Sequence, residues 1–188
     1  MIPISYPNLL LPTGKEVILL DGQTIELPKS IVTFRRWKGL PISNTFGGKA
    51  LVDFDGIPMF AELAITSLFK NSGWEARWIE TYGAGATTPY HFSGWTDGKL
   101  NEQTVDTIQN KNVLTVLNQV FCFNGGTYSG CWDVVGWKND QIIFAESKRT
   151  KKDRFRITQY NWLSAALKSG LNPDNFLIVE WGFEKSVF

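Results

Sequence analysis

A chain of 188 residues, 43% hydrophobic and 20% charged, holds enough apolar material for one core and a small accessory lobe. Nineteen Lys and Arg against eighteen Asp and Glu leave the net charge silent on partners, so only local clustering of charge bears on a nucleic-acid ligand. Two cysteines, Cys122 and Cys131, exclude a disulfide framework and lack the partner spacing of a zinc site, which points to free thiols in a reducing, cytoplasmic setting.

The N-terminal run 2–7 lacks the basic start and continuous apolar stretch of a targeting signal. No segment approaches the ~18 apolar residues that span a bilayer, so no membrane partner is expected. The first fifty residues read as a β-rich extension. Runs at 16–20 and 24–27 flank the Asp21-Gly22 turn signal, and a third strand is expected near 31–37. From 57 to 70 the apolar spacing turns helical, with Pro58 near the first turn and Asn71-Ser72-Gly73 as the stop.

A strand over 75–81 follows. Residues 83–130 read as an insertion: a Gly- and Thr-rich stretch, an amphipathic helix from about 102 to 121, and a loop through Gly125-Gly126. Two β runs, 131–137 and 141–147, are joined by Lys138-Asn139-Asp140; a helix over 154–169 is closed by Gly170, and a last strand spans 176–181. From residue 57 the order is helix, strand, insertion, hairpin, helix, strand, which argues for an α/β layer fold with a mixed sheet.

The hairpin carries the chemistry. If Asn139-Asp140 form a two-residue turn, Gly136 faces Ile143, Val135 faces Phe144, and Asp133 faces Glu146. A four-residue loop keeps this pairing and a three-residue loop breaks it. Opposed residues have Cβ atoms about 4.5–5.5 Å apart, where like charges repel, so a divalent cation between the two carboxylates is the simplest compensation. The period of two sets Lys148 on the same face as Glu146.

In isolation, three charged strand residues describe a solvated face with a salt bridge. The flanking runs argue for a cleft instead. Val134, Val135, Ile142, Ile143, Phe144 and Ala145 are apolar on both faces, as in covered central strands. In the next helix Phe155, Gln159, Trp162, Leu163 and Ala166 share one face, which aims Gln159 inward. Glu62, set among Met59, Phe60, Leu63 and Ile65, either lines the same cleft or sits at a helix edge in solvent. Arg149, Lys151, Lys152, Arg154 and Arg156 run from the proposed site to a helix N-terminus, an arrangement suited to phosphate.

The stretch 130–170, with Gly130 and Asp133 on one strand, Glu146-Ser147-Lys148 on the next, then Gln159 and Trp162-Leu163 on a helix, resembles the PD-(D/E)XK nuclease core and most closely its VRR-NUC branch. The resemblance implies a restriction-endonuclease-like αβββαβ core over 51–188, its mixed sheet flanked by helices. It places the metal-binding acids on Asp133 and Glu146, the catalytic Lys on Lys148, the helix Gln on Gln159 and, by order alone, the first-helix acid on Glu62. Two departures are Trp132, where many members have Pro, and Ser147, at a usually apolar position.

Its implied activity is Mg²⁺- or Mn²⁺-dependent phosphodiester hydrolysis, with DNA as the expected partner and a homodimer where both strands of a duplex are cut. Two other readings compete. One is a non-catalytic nucleic-acid-binding or assembly module on the same fold. The other is a carbohydrate-active protein, suggested by eight Trp and paired acids.

Overall fold

Two Asp-Gly pairs of the chain sit in two-residue turns with positive φ at each position: Asp21 and Gly22 at 50° and 78°, Asp55 and Gly56 at 53° and 82°. Such turns match the twist of paired strands, so each one sets a hairpin register. The computed structural model describes residues 4–42 and 46–185; the start of the 2–7 run lies outside them.

The first turn joins β1 (Gly14–Leu20) to β2 (Gln23–Arg36), antiparallel from Leu20 opposite Gln23 to Gly14 opposite Lys29. The strands expected at 24–27 and 31–37 are therefore one strand. Pro28 does not break it, because β2 changes partner there: Lys29 pairs with Gly14 on one side and begins a parallel ladder with the C-terminal strand on the other. At Pro28 the strand is paired on one side only, so a residue without an N–H is tolerated as on an edge.

The second turn corrects the start of the first helix. Residues 57–60 belong to a hairpin of β3 (Leu51–Phe54) and β4 (Ile57–Phe60), and α1 (Ala61–Asn71) begins only after it. Pro58 lies opposite Asp53 on the outermost strand of the sheet, where its missing N–H faces no partner.

β5 (Glu75–Glu80) matches its expected span closely, and β6 (Tyr90–Phe92) pairs beside it. The helix expected from about 102 begins at Lys111 instead, as α2 (Lys111–Phe123), with the Asn110 side chain accepting the Val113 N–H at 3.1 Å. Residues 104–108 form neither helix nor strand. The Asp106 N–H donates to His91 O at 2.7 Å, and Arg77 Nη2 donates to Asp106 Oδ1 at 3.0 Å.

β7 (Val134–Lys138), β8 (Gln141–Arg149), α3 (Ile157–Lys168) and β9 (Phe176–Phe183) complete the fold. The sheet order is β4-β3-β2-β9-β8-β7-β5-β6, with β1 attached to β2. β5, β7 and β8 form an antiparallel meander, whereas β8, β9 and β2 run parallel. The result is a mixed α/β fold with a mixed central sheet flanked by helices.

Alternation along the strands assigns each layer its core. Val134, Ile143, Ala145 and Val179 pack under Ala64, Ile65 and Phe69 of α1. Val135, Phe144, Phe176 and Ile178 pack under α2 and α3 through Val113, Leu117, Trp162, Leu163 and Ala166. No helix among the described residues is long and apolar enough to cross a membrane.

Gly136 lets α1 approach: a Cβ there would stand 2.3 Å from the Phe69 ring. Gly136→Ala is therefore expected to destabilise the fold by ~1–3 kcal/mol in urea unfolding, as overpacked cores do. Trimming the ring with Phe69→Leu should make the double variant less destabilised than the sum of the single changes.

Candidate active site

Residues paired between β7 and β8 run from Lys138 opposite Gln141 to Val134 opposite Ala145, the register of a two-residue turn. Asp133 follows one step beyond the ladder, level with Glu146. Its backbone stays tied in, since its carbonyl accepts the Ile79 N–H at 2.7 Å and its Oδ2 accepts the Ser147 N–H at 2.9 Å. The period of two sends Asp133, Glu146 and Lys148 to the face that carries α3.

Glu146 is 1% exposed and Lys148 9%. Glu146 Oε1 accepts from Lys148 Nζ at 2.9 Å and from Gln159 Nε2 at 2.5 Å, while its Oε2 is buried with no hydrogen-bond partner. Lys148 Nζ donates also to Gln159 Oε1 at 3.0 Å and to the Arg154 carbonyl at 3.3 Å. Three acceptors thus take the three ammonium hydrogens, and the Phe155 ring lies 4.6 Å from the nitrogen.

Gln159 is aimed inward by the first turn of α3, where the Arg156 N–H donates to its Oε1 at 3.0 Å. The segment leading to Asp133 locks onto the same turn. Gly130, at φ 82°, lies so close that a Cβ would stand 2.0 Å from Thr158 O and 2.9 Å from Gln159 N. Ser147 suits its position for a polar reason, since its Oγ accepts the Trp181 indole N–H at 3.0 Å.

Glu62, in the first turn of α1, is 9% exposed and forms an ion pair with Lys49. Lys49, in the loop before β3, went unmarked in the sequence, as did Glu80 at the end of β5. The Lys49 ammonium lies 5.0 Å from the Trp78 ring and 5.6 Å from that of Phe46. Burial works against its charge, but Glu62, Asp133 and Glu80 together lift its pKa above the usual lysine value. Nothing in local spacing joins Lys49 to acids on other elements; the Gly47-Gly48 pair before it was the one available hint.

The basic run divides. Lys151, Lys152, Arg154 and Arg156 are exposed on the loop that covers Lys148. Arg149 turns away from the cleft, with its guanidinium 5.0 Å from the Phe183 ring and 5.6 Å from that of Trp181.

Burial, then Glu146 and Glu62, push the Asp133 carboxyl well above the usual carboxylate range, with Lys49 opposing. Burial also raises Glu146, against the pull of Lys148. The two carboxyls stand level just beyond the β7–β8 ladder and act on each other's ionisation. No group of three or more His, Cys, Asp and Glu side chains is placed to hold a metal among the described residues. What the cleft offers is a pair of hard oxygen donors, one of them a buried carboxylate oxygen lacking a partner, which suits a cation that keeps several waters. Comparison with protein-family models, curated proteins and solved structures returns no match.

A folded-state pKa above the unfolded value favours the protonated form on folding. The associated stability is complete below the ordinary carboxylate pKa of about 4 and is lost as pH rises through the raised values. Asp133→Asn, which keeps an acceptor for Ser147, is expected to raise the urea midpoint of EDTA-treated protein at pH 7. That advantage should shrink as the pH is lowered towards about 4; a constant difference would show that the charge of Asp133 is not its source.

Proposed function

We propose that this chain is a metal-dependent phosphodiester hydrolase on a PD-(D/E)XK core. The order α1, β5, β7, β8, α3, β9, with β6 and α2 inserted after the first strand, supports that class: an antiparallel meander followed by a helix and a parallel return. More narrowly, we infer a nuclease similar to the VRR-NUC branch, acting on DNA as an endonuclease.

The observation that carries this reading is the state of Glu146. One oxygen is gripped by Lys148 and Gln159, and the other is buried, unpartnered and beside a second carboxylate. An unsatisfied buried carboxylate oxygen is costly and asks for a cation. Asp133 and Glu146 would hold Mg²⁺ or Mn²⁺, which when bound polarises a phosphate and acidifies a coordinated water.

Lys148 supplies positive charge from a nitrogen whose position three acceptors define. Its longest bond, to Arg154 O at 3.3 Å, is the one a phosphate oxygen or a water would most readily replace. Gln159 keeps Lys148 and Glu146 in register through both ends of its amide. The exposed Lys151, Lys152 and Arg154 lie on the same loop and offer the backbone of a nucleic acid its neutralising charge.

The carbohydrate reading fits poorly. Glycosidase carboxyls face each other across an open groove, whereas Glu146 is buried and its neighbour is a lysine in direct contact. Trp78, Trp132 and Trp162 are also fully buried and present no face to a sugar.

Lys148→Ala is expected to slow cleavage of a panel of structured DNA and RNA substrates by ~10²-fold or more, with a much smaller loss of binding. Glu146→Gln should abolish cleavage through lost metal affinity, so excess Mn²⁺ partly restores it and leaves Lys148→Ala inactive. Wild-type protein that binds nucleic acid yet cuts nothing in any divalent metal would favour the non-catalytic module instead. Replacing Lys151, Lys152 and Arg154 together should flatten the salt dependence of nucleic-acid binding with little change in Tm, because the three side chains are exposed.

A further inference from the structure

The acidic end of the sheet holds a second ammonium that the hydrolysis outlined above does not use. Lys49 follows Gly47 and Gly48, at φ 78° and 80°, which turn the chain sharply enough to send the side chain in beside α1. It is only partly exposed, is ion-paired with the buried Glu62, and lies against the Trp78 ring at 5.0 Å. Asp133 and Glu80 also act on its charge. Among the described residues its one hydrogen-bond partner is Glu62, whereas Lys148 has all three hydrogens engaged.

The charge balance is informative. Asp133, Glu146, Glu62 and Glu80 face Lys49 and Lys148, so four carboxylates oppose two ammoniums. With all four ionised, two negative charges would remain, which one divalent ion neutralises. Without Lys49 the same cleft would carry three. A hard divalent ion needs only one or two carboxylates, so the Glu62 and Asp133 side of the cleft could take a second such ion if the lysine were absent.

We propose that Lys49 is the built-in second cation of this site: it is held on Glu62, where a second divalent ion would otherwise bind, and it offers its remaining N–H groups to the substrate phosphate. The proposal rests on Asp133 and Glu146 being a cation site. Lys49 then limits the site to one ion and supplies, as an ammonium, the charge that a two-metal nuclease draws from its second metal.

The test is a calorimetric Mn²⁺ titration of the full chain, with Lys49→Met preserving the apolar stem against Trp78. Wild type and Lys49→Arg are expected to bind one Mn²⁺, and Glu146→Gln none. Lys49→Met should bind its first Mn²⁺ at least about tenfold more tightly, because an adjacent positive charge is gone, and take up a second, yet cleave at least about tenfold more slowly than wild type at Mn²⁺ concentrations that fill only the first site.

A lysine that merely braced Glu62 would lower both quantities on removal, and one that merely blocked the site would raise both; either result overturns the proposal. Should unpaired Glu62 prevent Lys49→Met from folding, Lys49→Met/Glu62→Gln restores the charge count and is expected to keep the wild-type Mn²⁺ affinity. An affinity more than tenfold away from wild type in that double variant also overturns it. If wild type binds no Mn²⁺, or Glu146→Gln binds as well as wild type, the cation site itself falls. If those controls hold and Lys49→Met binds no more tightly, only the role of Lys49 does.

Discussion

Everything at the functional end of this molecule hangs on a carboxylate placed where water cannot reach it. Glu146 is 1% exposed, and the bonds from Lys148 and Gln159 to one of its oxygens are what make its burial tolerable. Losing either partner would leave the buried group with only the other to stabilise it. The position of α3 therefore sets the geometry of the candidate site. Its first turn carries Gln159, and Gly130 allows the chain entering Asp133 to lie in direct contact with that turn.

The architecture explains how such a group can be buried at all. β8 lies between β7 and β9, with α1 on one face and α3 on the other, so its middle reads Ile142, Ile143, Phe144, Ala145 without alternation. Charges appear only near the end of the strand, where the helices give way to the loop 150–156. The parallel partner β9 helps to hold that end, because Trp181 donates to Ser147 Oγ and its carbonyl accepts the Thr150 N–H at 2.8 Å. β2 continues the parallel ladder beyond β9, so strands from the first fifty residues and the hairpin of the candidate site share one sheet.

The site is also more balanced than a pair of acids and a lysine. Glu62 and Glu80 bring acids from α1 and β5, and Lys49 answers them from a loop remote in sequence from both hairpin strands. Asp133 is the point where the two halves meet: Glu146 and Glu62 both raise its proton affinity while Lys49 lowers it.

Local rules were enough for much of this. The Asn139-Asp140 turn and strict alternation led to the register that sets Asp133 level with Glu146 and Lys148 on its face, since hairpin pairing depends only on loop length. The i, i+3, i+4 pattern likewise turned Gln159 inward. Elsewhere two local signals competed and the weaker one was followed: the apolar run from Ile57 resembled a helix, but Asp55-Gly56 starts a hairpin that consumes four of its residues. Residues 104–108 stay outside the helix because Arg77 and His91 hold Asp106, partners that only the packed sheet provides. Lys49 is the extreme case. Residue types, spacing and turn chemistry determined which side chains share a strand face or a helix face, because those relations repeat every two or 3.6 residues. Tertiary structure alone decided that an ammonium from the loop before β3 would meet acids from α1, β5 and the segment entering β7, because charges at long sequence separation find one another only after the layers that carry them have packed.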